Sequence, residues 1–227
     1  FPFSFFLFLS FFTFFFLPHY YFYYLLLAGH NIAMRYNDQS VLENFHIANA
    51  LEICRHEGCD IFETMVSKES KFKEIRLVWI DLILDTDMSR HFTVQKELNS
   101  KLTKAAEIGK SYSCTDPGNQ MFTLSVLLHC CDLGNPTKKW DTYQEWTSRV
   151  MEEFHDQAET EVLAGRKPSM PLNDKNFDLG KFQQGFLRFI QPFFQSVQLI
   201  DGVDLSELIK NLQINLKKWE ELEKEAK

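Results

Sequence analysis

The chain has 227 residues, 45% of them hydrophobic, enough for one sizeable core or a core with an appended segment. Acidic and basic residues are interspersed, the net charge is -7 and there is no basic block, which argues against nucleic acid or an anionic membrane surface as the main partner. The five cysteines (Cys54, Cys59, Cys114, Cys130 and Cys131) form no CxxC pair and no zinc-spaced Cys/His cluster, so they read as reduced thiols of a cytoplasmic fold.

Residues 1–28 hold about half of the 23 Phe and no charge. Their length and apolarity meet the criterion for a membrane span. Against that, Pro2 and Pro18 interrupt the run and no Lys or Arg flanks its start. A basic n-region and a small-residue cleavage site are both missing, so it does not read as a signal peptide. Three readings stay open: non-coding sequence read in frame, a membrane anchor, or a buried apolar helix. The expected organisation is a Phe-rich segment over 1–28 and one domain over 29–227.

Asn37 and Asp38 form a turn, and Ser40 followed by Glu43 is a capping-box pattern, so a helix is expected from Val41 with Val41, Phe45, Ala48 and Leu51 on one face. It should end near Gly58. A second helix is expected over 68–85, with Phe72, Ile75, Trp79 and Leu82 as its stripe. The polar stretch 85–91 follows, then an amphipathic helix through Leu98, Leu102 and Ala106, then a loop over 111–118.

From Met121 to Cys131 the chain is almost wholly apolar, the pattern of a helix buried on all sides. Asp132 follows, just before Gly134, Asn135 and Pro136, which stop helices, so it falls in the last turn. Both the helix dipole and burial disfavour a carboxylate there. Asp132 therefore caps the next turn, or it has a cationic or backbone partner. Trp140, Tyr143, Trp146, Val150 and Phe154 recur at helical spacing, the segment 165–175 is irregular, and 181–199 is a Phe-rich helix bent or interrupted at Pro192. A last helix over 204–227 carries Leu205, Leu208, Leu212, Leu216, Trp219 and Leu222. No segment shows period-two alternation, so the fold class is all-α, a compact multi-helix bundle.

Four stretches, YNDQSVLENFH, DTDMSRH, CCDLGNPTKKWDTYQEWTSRVMEEF and KFQQGF, stand in an order that resembles the class I cyclic nucleotide phosphodiesterases over roughly residues 29–220. The resemblance implies an all-α catalytic domain, truncated on its N-terminal side, of an enzyme that hydrolyses cyclic AMP or cyclic GMP to the 5′-monophosphate. It also implies two divalent ions, zinc with magnesium or manganese, that activate a water and neutralise charge on the phosphoryl oxygens. By position, Asp132 would be a metal ligand, and Glu43 and Thr86 would hold metal-bound waters. Asn135, Met88, Val150, Met151 and Phe154 would line the nucleotide pocket. Gln183 would read the base edge, since its amide offers donor and acceptor together, and Phe186 would stack on the base.

Each assignment has an alternative from the residues alone. Glu43 is also the capping-box partner, Thr86 also fits a helix cap, and Val150, Met151 and Phe154 also fit plain core packing. Gln184 adjoins Gln183, and either could be the reader. The family's H-N-x-x-H-A-x-D-V and H-D-x-x-H-x-G-x-x-N motifs, which supply the other metal ligands and the acid that protonates the leaving oxygen, have no match in residues 1–28. His30 cannot replace them, and His155-Asp156 falls mid-helix far downstream. The expectation is therefore little or no hydrolysis by the chain as written, exposed apolar faces and marginal stability. A non-catalytic nucleotide-binding module and a membrane-tethered helical protein are the alternative functions.

Overall fold

The computed structural model describes residues 31–61, 69–168 and 177–225. The Phe-rich segment 1–28, His30, most of the irregular segment 165–175 and the last two residues lie outside them. Eight α-helices make up the described chain: α1 Asn31–Arg35, α2 Val41–Ile53, α3 Glu69–Leu84, α4 His91–Glu107, α5 Gln120–Asp132, α6 Trp140–Leu163, α7 Leu179–Val197 and α8 Ser206–Glu225. Among the described residues the sole β-type pairing is an isolated bridge, Ser113 with Asp201, so the all-α class holds. No helix of the described residues is long and apolar enough to cross a membrane. The chain divides after His91 into two compact units.

In the first unit, α2 starts at Val41 as the sequence indicates, but not through a capping box. Ser40 takes a left-handed backbone (φ 41°) and makes no cap bond; its hydroxyl donates instead to Asp87 Oδ2 at 2.7 Å. Asn37 and Asp38 are left-handed too (φ 54° and 59°), a conformation that costs most side chains energy. The Asn44 amide helps hold this turn by lying against the Gln39 and Ser40 carbonyls. The buried residues of α2 are Val41, Leu42, Glu43 and Ile47, while Ala48 is exposed, so the expected stripe is rotated toward Glu43. Phe72, expected in the α3 stripe, is exposed, as is Leu77, and burial begins only near the helix end at Ile83. A 3₁₀ turn, Met88–Arg90, fills the polar stretch before α4.

In the second unit α7 is the central element. Leu187, Ile190, Phe193, Phe194 and Val197 are wholly buried along one face. The helix is continuous through Pro192 rather than interrupted there. A proline removes one backbone bond at about 3 kcal/mol, whereas each large apolar side chain buried beside it contributes about 1.5–3 kcal/mol, so packing wins. The Asp178 carboxylate caps the helix start by accepting from the Lys181 N–H at 3.0 Å. Gln198 fixes the turn to α8, donating to the Val203 carbonyl and accepting from the Leu205 N–H.

The expectation that α5 is buried on all sides is corrected. Thr123, Ser125, Val126, His129 and Cys130 are buried, but Met121, Leu124 and Cys131 are exposed. The uniformly apolar sequence hid a face that borders solvent. In α8 the buried residues are Leu212, Asn215 and Trp219, while Leu208 and Leu222 of the expected stripe are exposed. In α4, Leu98 is buried as expected and Ala106 is exposed.

Candidate functional site

Asp132 is the last residue of α5 and is half-buried. The helix closes with the Leu133 N–H donating to the His129 carbonyl and the Gly134 N–H to the Cys131 carbonyl. At Gly134 an added Cβ would lie 2.8 Å from that Cys131 oxygen, so the tight exit requires glycine. The 3₁₀ turn Asn135–Thr137 follows directly. It is closed by the Thr137 N–H and hydroxyl, both donating to the Gly134 carbonyl, and by the Lys138 N–H donating to the Asn135 carbonyl. Asp132 and Asn135 thus stand one helical turn apart. Asn135 Oδ1 is buried and accepts no hydrogen bond from the described residues. A buried acceptor in this state calls for an outside donor, water or ligand.

The second group lies between α6 and α7. The Tyr143 hydroxyl donates to Gln183 Oε1 at 2.8 Å and accepts from Trp219 Nε1 at 3.1 Å, fixing the orientation of the Gln183 amide. Burial pushes the Tyr143 phenol up to about 12, so it stays protonated and a donor at any physiological pH. Gln184 is occupied elsewhere: its amide nitrogen donates to the Trp219 carbonyl and Glu223, and its oxygen accepts from Arg188. Of the two candidate readers, Gln184 is bound into the α7–α8 seam. Met151 and Phe154 are buried together, with Val150, Phe177, Leu179 and Phe182 packed against them. Phe186 is half-buried one turn beyond Gln183 on α7. His155 and Asp156 are exposed on α6.

Glu43, Thr86 and Met88 belong to the first unit. Glu43 is buried, and burial, with a smaller push from the Asp87 charge, raises its carboxyl to about 7; its own backbone N–H partly opposes this. Thr86 is fully buried and its hydroxyl donates to the Ile83 carbonyl at 2.8 Å, closing the end of α3. Its proton is used in the helix-capping sense, which leaves the oxygen able to accept. Met88 is half-buried beside Asp87, the partner of Ser40. Among the described residues no group of three or more His, Cys, Asp or Glu side chains could hold a metal ion. The donors of the described residues do not by themselves make a binuclear centre.

Three residues of this arrangement were not singled out from sequence as site residues. Tyr143 and Trp219 read as core stripe, although a buried Tyr or Trp usually needs a polar partner, which was the available signal. Asn215 interrupts the apolar stripe of α8, and its amide holds the Pro136 and Lys138 carbonyls. A polar residue in a buried stripe was the signal there.

Comparison with known proteins bears on the whole arrangement. The sequence model of the 3′5′-cyclic nucleotide phosphodiesterase family matches residues 23–212. The chain is 33% identical over 186 residues to Drosophila melanogaster 3′,5′-cyclic-AMP phosphodiesterase isoform F, a match covering 81% of this chain and 28% of that protein. Isoforms N/G match at the same identity over 19% of their length. The phosphodiesterase domain of Salpingoeca rosetta rhodopsin phosphodiesterase superposes with a TM-score of 0.78 at 31% identity, covering 90% of this chain and 61% of that one. The chain thus spans under a third of the length of these curated relatives and about three-fifths of the solved domain. On a family match of this extent, with identity above 30% to both relatives and solved structure, the chain belongs to the 3′,5′-cyclic nucleotide phosphodiesterases.

Proposed function

We propose that this chain forms the nucleotide-binding part of a domain that hydrolyses 3′,5′-cyclic nucleotides to 5′-monophosphates. The observation that carries this reading is the Gln183 amide. It is buried on α7 with its orientation set by Tyr143, and it presents donor and acceptor groups in one fixed order. Phe186 supplies an aromatic face one turn away, Val150, Met151 and Phe154 supply apolar lining, and the Asn135 oxygen supplies an acceptor. The relatives named as cyclic-AMP phosphodiesterases make cyclic AMP the nucleotide to test first.

Asp132 is assigned as one metal ligand, and Glu43 and Thr86 as groups that order metal-bound water. Divalent ions would supply an activated hydroxide and charge neutralisation at the phosphate. One carboxylate does not hold two such ions, so for the chain itself the reading is nucleotide binding with little or no hydrolysis. The test is titration of the purified chain with cyclic AMP, alongside turnover assays in Mn²⁺ or Zn²⁺. Weak saturable binding lost in Gln183→Ala supports the reading. Binding unaffected by that change overturns the base-reading role, and robust turnover overturns the statement about hydrolysis.

A further inference from the structure

Helix α8 carries none of the residues assigned to metal or nucleotide, yet its buried face holds an asparagine where the pattern calls for an apolar side chain. Asn215 is 1% exposed, between Leu212 and Trp219 on the same face. Both hydrogens of its amide are used: Nδ2 donates to the Pro136 carbonyl at 2.9 Å and to the Lys138 carbonyl at 2.8 Å. One turn earlier the Asn211 amide donates to the carbonyl between them, that of Thr137, at 3.0 Å. Three consecutive carbonyls are thus held by two side chains of one helix.

These carbonyls precede the first turn of α6 and follow α5, so neither helix supplies them with donors. A leucine at 215 would fill the stripe equally well; what the amide adds is the pair of donors. Burying a carboxamide is unfavourable unless its polar groups are bonded; here both hydrogens are, while the buried Oδ1 accepts from no described residue. The turn they hold is a single 3₁₀ turn, which has few internal bonds and poor geometry of its own. Asn135 opens that turn, with its buried Oδ1 accepting from no described residue.

We propose that Asn215 is a positioning residue for the nucleotide subsite: by fixing the 136–138 carbonyls it aims the Asn135 carboxamide at the bound nucleotide. This rests on the reading of Asn135 as a nucleotide contact. Asn211, half-buried and holding one carbonyl, does the same to a smaller degree.

The test is a double-mutant cycle on the 227-residue chain, read as cyclic AMP affinity by NMR titration, with thermal melts to establish folding. Asn135→Ala should weaken binding about tenfold and Asn215→Leu about fivefold, the scale of one hydrogen bond. Combined, they should bind no more than about twofold more weakly than Asn135→Ala alone, because Asn215 acts through Asn135. Losses that multiply in the double variant overturn the proposal while leaving Asn135 as a contact. If Asn135→Ala binds like the parent, or the parent does not bind, the underlying reading fails and the proposal falls with it. Should Asn215→Leu give no cooperative melt, Asn211→Ala replaces it, with an expected loss of about twofold that vanishes in the Asn135→Ala background; a loss that persists there overturns the proposal.

Discussion

The two units differ in how they fill their interiors. In the second, Leu187, Ile190, Phe193, Phe194, Val197 and Leu212 are sealed from water, and Tyr143, Gln183, Gln184 and Asn215 among them hold one another or backbone groups through hydrogen bonds. In the first, the described core cluster is Ala33, Val41 and Leu42, with Ile32 and Tyr36 against it, while Met34, Ile53, Phe72 and Leu77 are exposed. The first unit also buries a carboxyl group, Glu43, whose charged form is disfavoured there. A long stripe of large side chains lets α7 order its neighbours and shelter a polar network. Among its described residues the first unit sets a smaller sealed cluster beside its left-handed turn and its buried acid.

The largest test of this contrast is packing itself. Phe193→Ala should cost about 3–5 kcal/mol, a large part of a typical domain's stability. Phe193 is fully buried, edge-on to both His129 and Phe194, so its loss leaves a cavity that rigid neighbours cannot close. Leu42→Ala in the first unit, where the described cluster around it is Ala33, Val41, Ile32 and Tyr36, should cost about 2 kcal/mol. Denaturant titration of each variant measures both values. Equal costs would break the contrast.

A smaller effect, opposite in sign, is expected at Glu43. Its carboxyl stands at about 7 in the folded chain against 4.5 ordinarily, so between those values the folded state keeps a proton that the unfolded state has released. The stability this gives is fully present below pH 4.5, is lost as pH rises toward 7, and amounts to about 3 kcal/mol. His91, lowered by burial, acts in the other direction as pH falls, so the comparison must be with a variant rather than with one curve. Glu43→Gln should match the parent near pH 4 and exceed it at pH 8 by up to about 3 kcal/mol. Parallel melting curves across that range would show that the fold accommodates the charged carboxylate as well as the neutral acid.

The same contrast explains what was legible in the sequence. The start of α2, the exit of α5 at Gly134 and the all-α class follow from turn residues and period, which are local. Ser40 was misread because its hydroxyl serves Asp87, 47 residues away, rather than the next turn. Continuity through Pro192 depends on burial of Phe193 and Phe194, which outweighs the local breaker. Asp132, Asn135 and Gln183 stand out in the sequence only because a run of residues there matches the family. Tyr143, Trp219 and Asn215 work through partners 40 to 79 residues distant, and no local pattern announces that.

Tyr143→Phe removes one oxygen and leaves Gln183 Oε1 and Trp219 Nε1 without their shared partner. The expected cost is about 1–3 kcal/mol, that of stranded buried polar groups. The Gln183 amide would then be free to turn, so on its proposed base-reading role discrimination between cyclic AMP and cyclic GMP should narrow even where overall affinity holds. Competition titrations of the two nucleotides, with a denaturation curve, separate these effects. Unchanged discrimination would show that something other than the phenol fixes the amide.

The smallest effect is expected at the outer edge of the same seam. Arg188 donates to Gln184 Oε1 at 3.1 Å and pairs with Glu220 at 2.7 Å, but its side chain is about half exposed. Solvent screens such a pair, and holding two long side chains in one geometry costs entropy, so Arg188→Ala should cost under about 1 kcal/mol. The inner bonds of Gln184 to the Trp219 carbonyl and Glu223 do not involve the guanidinium and should keep α7 and α8 together. A loss above about 2 kcal/mol would place the seam's strength in its charged rim rather than in its buried amides. The second unit would then owe its order to electrostatics, and raising the salt concentration should weaken it visibly; if packing and buried hydrogen bonds govern, salt should change little.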